Sequence, residues 1–260
     1  MGSQAIQGKL WGQRPKDWAE IQEKTGLPGY EFVLNYLSSN DPEKILDVGC
    51  GSGLFVKLAF EKGMDVMGMD ATPELITEAK KRVPEVKFLT GEMEELPFED
   101  ESFDVVCGFN SFQYASNTPN AIAEAKRVLK KGGKIAVMIW GNKEDCEAAT
   151  YLKAIGSLLP PPPPGAGGPF ALSENQLLEK ILTDAGFKIL NNTDVISIWD
   201  YEDIGTALKG LLSVGPAAKA IENRGFETVY DTTLKAVQPY IQSDGRVVYR
   251  NKFRVVIAEK

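Results

Sequence analysis

The stretch that decides the fold of this chain is Ile45-Leu46-Asp47-Val48-Gly49-Cys50-Gly51-Ser52-Gly53. An apolar run ends near an acidic residue, glycines then alternate with other residues, and a helical pattern begins at Gly53. Glycines at such a turn let the backbone bend tightly and let a ligand approach main-chain atoms. The spacing G-x-G-x-G differs from the G-x-G-x-x-G of dinucleotide-binding loops. The stretch therefore predicts a ligand-binding strand–helix turn of another type, and a plain turn without a ligand is the alternative.

Around this turn, short apolar runs alternate with helical patterns from residue 44 onward. Continuous apolar strands separated by helices indicate a doubly wound, mostly parallel α/β sheet that is covered on both faces. The predicted strands are 44–48, 65–69, 86–89, 103–109, 134–140, 188–200 and 247–258. The predicted helices are 53–62, 73–82 and 117–129, with a further helix that Ser173 caps and that runs to Ala185. Residues 202–240 have a broken helical pattern.

Composition excludes several classes of protein. With 260 residues, 43% hydrophobic and 25% charged, the chain has the balance of a globular protein large enough to bury a core. The net charge of −7, without a Lys/Arg block, predicts that nucleic acid is not a partner. No apolar run approaches the length that crosses a bilayer, which is roughly 18–20 residues. The amino-terminal residues lack the pattern of a signal peptide.

Cysteine and histidine usage narrows the chemistry. The three cysteines, Cys50, Cys107 and Cys146, are too few and too scattered for a disulfide framework, so we expect reduced thiols and a cytoplasmic protein. The chain has no histidine, which removes histidine-based triads and the usual general base at neutral pH. No cluster of ligand residues in the sequence suggests a metal.

Two further acidic residues stand at predicted strand ends. Asp70 lies 17 positions after Gly53, about the spacing of the acid that binds ribose hydroxyls, although a helix-capping role is the alternative. Glu92 follows the third strand, where its carboxylate can accept a bond from an exocyclic amine. The main-chain N–H of the next residue, Met93, can donate to a neighbouring ring nitrogen. Together these groups predict an adenosine site.

These motifs, with Arg127-Val128-Leu129-Lys130-Lys131-Gly132-Gly133-Lys134-Ile135, resemble the class I S-adenosylmethionine-dependent methyltransferases. Within that class the chain is similar to the type 11 group, which includes ubiquinone- and menaquinone-biosynthesis methyltransferases. The resemblance is specific over 44–141. It implies a seven-stranded sheet of order 3-2-1-4-5-7-6, with the last strand antiparallel and with helical lid additions.

The same resemblance implies residue roles toward S-adenosylmethionine. The methionine part would lie against the glycine loop and the fourth strand's end, the ribose against Asp70 and the adenine against the two following elements. The family usually has Asp-Ala where this chain has Glu92-Met93, so Glu92 would reach the amine from a different angle. The implied cofactor-binding residues are Asp47, Gly49, Cys50, Gly51, Asp70, Ala71, Glu92, Met93 and Asn110.

The domain plan has three parts: an amino-terminal helical cap at 1–40, a cofactor-binding domain at 41–200 and 244–260, and a helical insertion at 201–243. The cap is expected to wall the acceptor pocket, and core packing is the alternative for its aromatic residues. Arg14 or Tyr30 is a further candidate to bind the cofactor carboxylate. The candidate pocket residues are Trp11, Trp18, Tyr30, Phe112 and Tyr114.

The expected activity is in-line methyl transfer to a small, hydrophobic molecule, with no catalytic base identified. The insertion is expected to act as a lid lined by Leu208, Leu211, Leu212 and Val214, or else to form a dimer face. The proline run at 160–164 is interpreted as a connector, with a polyproline ligand as the alternative. Two other functions stay open: a non-catalytic cofactor-binding partner subunit and a nicotinamide-dependent oxidoreductase. The oligomeric state is not predicted.

Overall fold

The computed structural model describes residues 2–38, 44–161 and 168–260. Within them, one mixed sheet has the strand order β3-β2-β1-β4-β5-β7-β6. Its strands are β1 (Ile45–Val48), β2 (Val66–Asp70), β3 (Phe88–Thr90), β4 (Phe103–Phe109), β5 (Leu129–Trp140), β6 (Lys188–Tyr201) and β7 (Val247–Glu259). The predicted order is confirmed.

Strand direction also agrees with the prediction. β1 pairs in parallel with both β2 and β4, whereas β7 is antiparallel to its neighbours β5 and β6. The chain reverses its direction of winding between β1 and β4, which is where ligands bind in open α/β sheets. The carboxyl ends of β1 to β4 therefore place the glycine loop and the residues after β2, β3 and β4 at one edge.

Helices cover both faces of the sheet. Apolar strands buried on both sides need this cover, and all residues of β1 and β2 are buried. The helices are α1 (Gln4–Trp11), α2 (Pro15–Asp17), α3 (Leu27–Ser38), α4 (Leu54–Glu61), α5 (Pro73–Arg82), α6 (Thr118–Val128), α7 (Ala149–Gly156), α8 (Leu177–Asp184), α9 (Ile204–Leu211), α10 (Gly215–Arg224) and α11 (Phe226–Val237).

Most predicted boundaries differ from the structure by one residue at most, and three elements begin two or more residues away from the predicted start. β3 begins at Phe88 instead of residue 86. β5 begins at Leu129 instead of residue 134, because Leu129 pairs with Phe103 ahead of Gly132 and Gly133. Ser173 does not cap a helix that runs to Ala185: α8 begins at Leu177, and the Ser173 hydroxyl donates instead to the carbonyl of Trp140.

The helical structure of the amino-terminal segment is interrupted just before Pro15. α1 ends at Trp11, and Pro15 starts α2, which continues through a π-helical turn (Trp18–Gln22) and a 3-10 turn (Glu23–Gly26) into α3. Proline fixes φ and lacks an N–H, so it is accommodated at a helix start and not in a helix interior. The two tryptophans at 11 and 18 consequently lie on different helical pieces.

The helical insertion packs into the protein core. Asp203 caps α9 by accepting the Thr206 N–H at 2.7 Å. Leu208, Leu211 and Leu212 are buried in the same apolar core as the sheet. The boundary placed at 40/41 and most of the proline run at 160–164 lie outside the described residues.

Candidate active site

The loop after β1 requires glycine. Gly49, Gly51 and Gly53 have φ values of 77°, 55° and 79°, in the left-handed region that glycine adopts without strain. A Cβ at Gly49 would also lie 2.3 Å from the Cβ of Ser111, which is too close for any side chain. The loop thus exposes main-chain atoms where β1 meets α4, as the sequence predicted.

Asp70 ends β2 beside this loop. Its Oδ2 accepts the N–H of Gly51 at 2.9 Å, and its Oδ1 accepts the N–H of Thr72 at 2.8 Å. An ionised carboxylate has about four acceptor positions, so two bonds leave capacity for ribose hydroxyls. Burial raises the pKa of Asp70, and the two N–H donors oppose that shift. The Thr72 side chain forms no capping bond to α5.

Asp47 and Asn110 supply two buried acceptors that have no hydrogen-bond partner in the part of the chain that the structure describes. Asp47, in β1, has an unbonded Oδ1, and Asn110, directly after the neighbouring strand β4, has an unbonded Oδ1. Asn110 adopts φ 52°, an unusual conformation that is held by the loop. Burial, with the negative charges of Glu23 and Asp70, raises the pKa of Asp47 well above its ordinary value. A buried acceptor without a donor is costly, so this pair suits a ligand that carries a cationic donor.

These elements enclose a cavity of about 80 Å³ at the carboxyl edge of the sheet. It brings together most of the predicted cofactor residues and three of the predicted pocket aromatics. The residues that line it include Gly49, Gly51, Asp70, Ala71, Met93, Asn110, Ser111, Trp11, Trp18 and Tyr114. This volume is smaller than that of most ligand pockets, which measure roughly 300 Å³ or more.

Helix α1 covers part of this cavity, with Gln7 and Trp11 among the lining residues. Glu92 Oε2 accepts the main-chain N–H of Gln4 at 2.7 Å, and Glu92 Oε1 accepts the Ser3 hydroxyl at 3.2 Å. Gly8 packs on the main chain of Ala71, where a Cβ would lie 2.5 Å from the carbonyl oxygen. The carboxylate predicted to bind the adenine amine thus holds the start of α1 instead.

Three aromatic rings form the opposite wall. Trp11 contacts Trp18 edge to face with ring centroids 4.9 Å apart, and it contacts Tyr114 in the same way at 5.4 Å. The indole Nε1 of Trp18 is buried without a partner. A Cβ on Gly51 would approach that nitrogen to 3.1 Å, so the indole lies against the glycine loop.

Other predicted residues lie outside this cavity. Tyr30 packs on Phe55 and Phe109 in the core, and Phe112 is almost completely buried. The Cys50 side chain is buried under the loop, and burial raises the pKa of its thiol. Arg14 lies over the ring of Phe226. Large aromatic residues fill cores more often than pockets, which is why sequence position alone did not separate Tyr30 from Trp18.

The sequence analysis missed a buried ion pair that ties the amino-terminal segment to the site. Arg82, at the end of α5, pairs with Glu23 and donates to the carbonyl of Ala19 at 2.7 Å. Glu23 also accepts the hydroxyl of Ser52 in the glycine loop. Burial raises the pKa of Glu23, and Arg82 opposes that shift. No local pattern signals a pair 59 positions apart.

Neither a metal centre nor a membrane helix is evident in the described ranges. Across residues 2–38, 44–161 and 168–260, no three His, Cys, Asp or Glu side chains are grouped so that they could hold a metal ion. No helix in the same ranges is both long and apolar enough to cross a membrane.

The strand order is that of the methyltransferase fold. Residues 46–137 match the family model described as a methyltransferase domain, so this segment of the chain is a methyltransferase domain. S-adenosylmethionine is the cofactor of this domain. The groups present fit it: Asp70 for the ribose, and the unpartnered oxygens of Asp47 and Asn110 for the ammonium.

Known proteins support the assignment over part of the chain. A malonyl-[acyl-carrier protein] O-methyltransferase of Serratia marcescens is 34% identical over 117 residues, which cover 45% of this chain and 44% of that protein. A demethylmenaquinone methyltransferase of Thermotoga maritima is 30% identical over 108 residues, covering 41% and 47%. The chain thus spans about half the length of these relatives. The fold of the YcgJ protein of Bacillus subtilis matches 88% of this chain and 98% of that one, with a TM-score of 0.57 and 19% identity.

Proposed function

We propose that this protein transfers a methyl group from S-adenosylmethionine to a small, largely apolar molecule. The observation that carries the proposal is the cavity in which Asp70 meets the glycine loop, with the unpartnered oxygens of Asp47 and Asn110 at the adjoining strand ends. When bound, S-adenosylmethionine supplies a methyl group on a cationic sulfur, and its transfer to a nucleophile leaves a neutral thioether.

The chain's own residues bind, orient and exclude water. Asp47 and Asn110 accept from the ammonium of the amino-acid part, while Asp70 accepts from the ribose hydroxyls. We assign Glu92 and Met93 to the adenine edge, which requires that Glu92 release the start of α1. The rings of Trp11 and Tyr114 wall the space next to the reacting centre, where an apolar lining excludes water and favours a cation.

The amino-terminal segment 1–40 and the insertion 201–243 serve this proposal as cover for the site. Gly215 of the insertion touches Trp11: a Cβ there would lie 2.5 Å from the indole nitrogen. The insertion therefore acts by bracing a pocket tryptophan. Its predicted lining residues Leu208, Leu211 and Leu212 are buried in the core instead.

The chemical class of partner follows from charge and from the relatives. An acidic chain suits a small molecule better than a nucleic acid. The relatives named above include a demethylmenaquinone methyltransferase and a malonyl-[acyl-carrier protein] O-methyltransferase. The three free, buried cysteines fit a reducing compartment such as the cytoplasm.

A labelling experiment tests the proposal. The protein is incubated with a metabolite extract and methyl-labelled S-adenosylmethionine, and mass spectrometry detects products heavier by one labelled methyl group. Asp70→Ala serves as the impaired variant and Asp65→Ala, an exposed acid at the other end of β2, as the matched control. Label in a small apolar product from wild type and control supports the proposal. Calorimetric cofactor binding without any labelled product indicates a non-catalytic binding subunit.

A further inference from the structure

A second cavity of about 340 Å³ lies behind Tyr114. It is formed between α7, the residues after β4 and the start of α10. Tyr151, Leu152 and Ile155 of α7 form one wall, Pro216 of α10 another, and Gln113 and Tyr114 the third. Tyr114 lines this cavity and the cofactor cavity alike, so the two spaces adjoin at this residue.

Gln113 gives the second cavity its chemical character. Both amide atoms of Gln113, Oε1 and Nε2, are buried and make no hydrogen bond of ordinary geometry among the described residues, although the amide lies close enough to the Tyr114 hydroxyl to lower its pKa against the effect of burial. A buried amide without partners costs free energy that a ligand with a matching donor and acceptor would recover. No charged side chain is found among the described residues that line the cavity.

We propose that this second cavity is the methyl-acceptor subsite and that Gln113 selects an uncharged, largely apolar molecule bearing a hydroxyl or hydroxy-carbonyl group. The assignment rests on the proposed methyltransferase function. The volume of the second cavity lies at the lower end of the range for ligand pockets, which starts at roughly 300 Å³. A hydroxyl both donates and accepts, as the amide of Gln113 requires, and the apolar wall of α7 takes the rest of the molecule.

The absence of a protein base agrees with this acceptor class. Burial raises the pKa of both Tyr114 and Tyr151, so neither phenol removes a proton at neutral pH. The other described lining residues are apolar or amide. The acceptor must therefore contribute its own nucleophile: it binds as the neutral phenol or enol, and its hydroxyl proton passes to water as the O–CH3 bond forms and the S–CH3 bond of S-adenosylmethionine breaks to leave a neutral thioether.

Two variants separate this site from the cofactor site. Gly156 lines the second cavity, and a Cβ at Gly156 meets no atom of the described residues within 4 Å, so Gly156→Trp places a ring in the cavity. Lys153→Trp, exposed on the same helix and outside this cavity, is the matched control. Gln113→Leu removes the amide at similar volume.

The probe is 2-naphthol, whose fluorescence reports its binding, and 2-methoxynaphthalene is the analogue without a donor. We expect wild type and Lys153→Trp to bind 2-naphthol at least about fivefold more tightly than 2-methoxynaphthalene, the scale of one hydrogen bond. Gln113→Leu should lose that preference, and Gly156→Trp should lose the binding of both probes. Calorimetry with S-adenosylhomocysteine should give unchanged affinity in both variants.

The outcomes distinguish the two proposals. If wild type fails to bind S-adenosylhomocysteine, the proposed function fails first. If it binds S-adenosylhomocysteine but does not bind 2-naphthol, or if Gly156→Trp binds 2-naphthol as wild type does, the second cavity is not the acceptor subsite. An unchanged preference in Gln113→Leu removes the selecting role of Gln113.

Discussion

Glu92, two residues after β3, accepts the main-chain N–H of Gln4 at 2.7 Å and so holds the first turn of α1 over the cofactor cavity. The free N–H groups at a helix start attract a carboxylate, which explains why this contact forms. The same carboxylate is proposed to bind the adenine amine. The Glu92 carboxylate cannot accept from the Gln4 N–H and from the adenine amine at full strength through the same lone pairs. Cofactor binding and the docking of α1 are therefore coupled.

This coupling predicts a change in hydrogen exchange at α1. Glu92→Ala should raise amide exchange over residues 4–8 by about tenfold or more, because it removes a bond to a charged acceptor. Adding S-adenosylmethionine to wild type should raise exchange there too. Glu94→Ala is the control, since Glu94 bonds the N–H of Ser116 instead of α1. Protection at α1 that does not change with the cofactor would show that Glu92 keeps Gln4 when the site is occupied.

Asp70→Ala should weaken S-adenosylmethionine binding by about 1.5–3 kcal/mol, because a charged acceptor of two hydroxyls is lost. The protein should stay folded, since Asp70 lies at the tip of β2 and outside the apolar clusters. Calorimetry measures the affinity, and thermal unfolding checks the fold. Asp65→Ala should bind as wild type does. Equal affinity in a folded Asp70→Ala protein would remove the ribose role.

Asp47 predicts a pH dependence with a definite sign. Burial raises its pKa well above 3.8, so the folded protein binds a proton that the unfolded chain has lost. The free energy of unfolding therefore falls as pH rises from about 4 toward the raised pKa, and Asp47→Asn should reduce that fall. Chemical unfolding at several pH values measures it. A pH dependence identical in wild type and Asp47→Asn would contradict the assignment.

The same group predicts that cofactor binding releases protons. A cationic ligand favours the ionised carboxylate, so affinity for S-adenosylmethionine should increase with pH across that window. Calorimetry in buffers of different ionisation enthalpy measures the released protons. Asp47→Asn should release fewer protons than wild type. Proton uptake on binding would have the wrong sign for this mechanism.

Breaking the Glu23–Arg82 pair should destabilise the protein by about 3 kcal/mol, because Arg82→Met leaves a buried carboxylate without its cation. The double variant Glu23→Gln/Arg82→Met should recover part of that loss. Denaturant unfolding measures all three proteins. Arg246→Met breaks an exposed pair with Asp200 and is the control, which should leave the unfolding midpoint unchanged. If Arg82→Met were as stable as this control, the buried pair would not stabilise the fold.

Gly215→Val should displace Trp11, since the new Cβ would lie 2.5 Å from its indole nitrogen. The φ of Gly215 is not in the left-handed region, so the effect is steric. We expect weaker cofactor binding and a shift in tryptophan emission in a folded protein. Gly205→Ala is the control, where only the Asp203 carboxylate lies near, at 3.3 Å. If Gly215→Val bound the cofactor with wild-type affinity, the insertion would have no influence on the cofactor site.

The sequence by itself determined the sheet and the edge that carries the site. Alternating apolar strands and helices indicate a doubly wound sheet. Asp47 and Asp70 can be identified as candidate site residues because each lies at or near the end of a buried strand. These signals are local, since strand period, glycine spacing and the position of an acid are all read within one short stretch. The strand order came with the family that those local motifs resemble.

Only the tertiary structure decided which groups meet. Glu23 and Arg82 are 59 positions apart, and Glu92 is 88 positions from Gln4, so no periodicity links them. The buried amide of Gln113 becomes part of a candidate binding site only because α7 and Pro216 form a cavity around it. Pairing over long separations depends on how helices settle against the sheet, which is set by side-chain packing across the whole molecule and not by the pattern of any one segment.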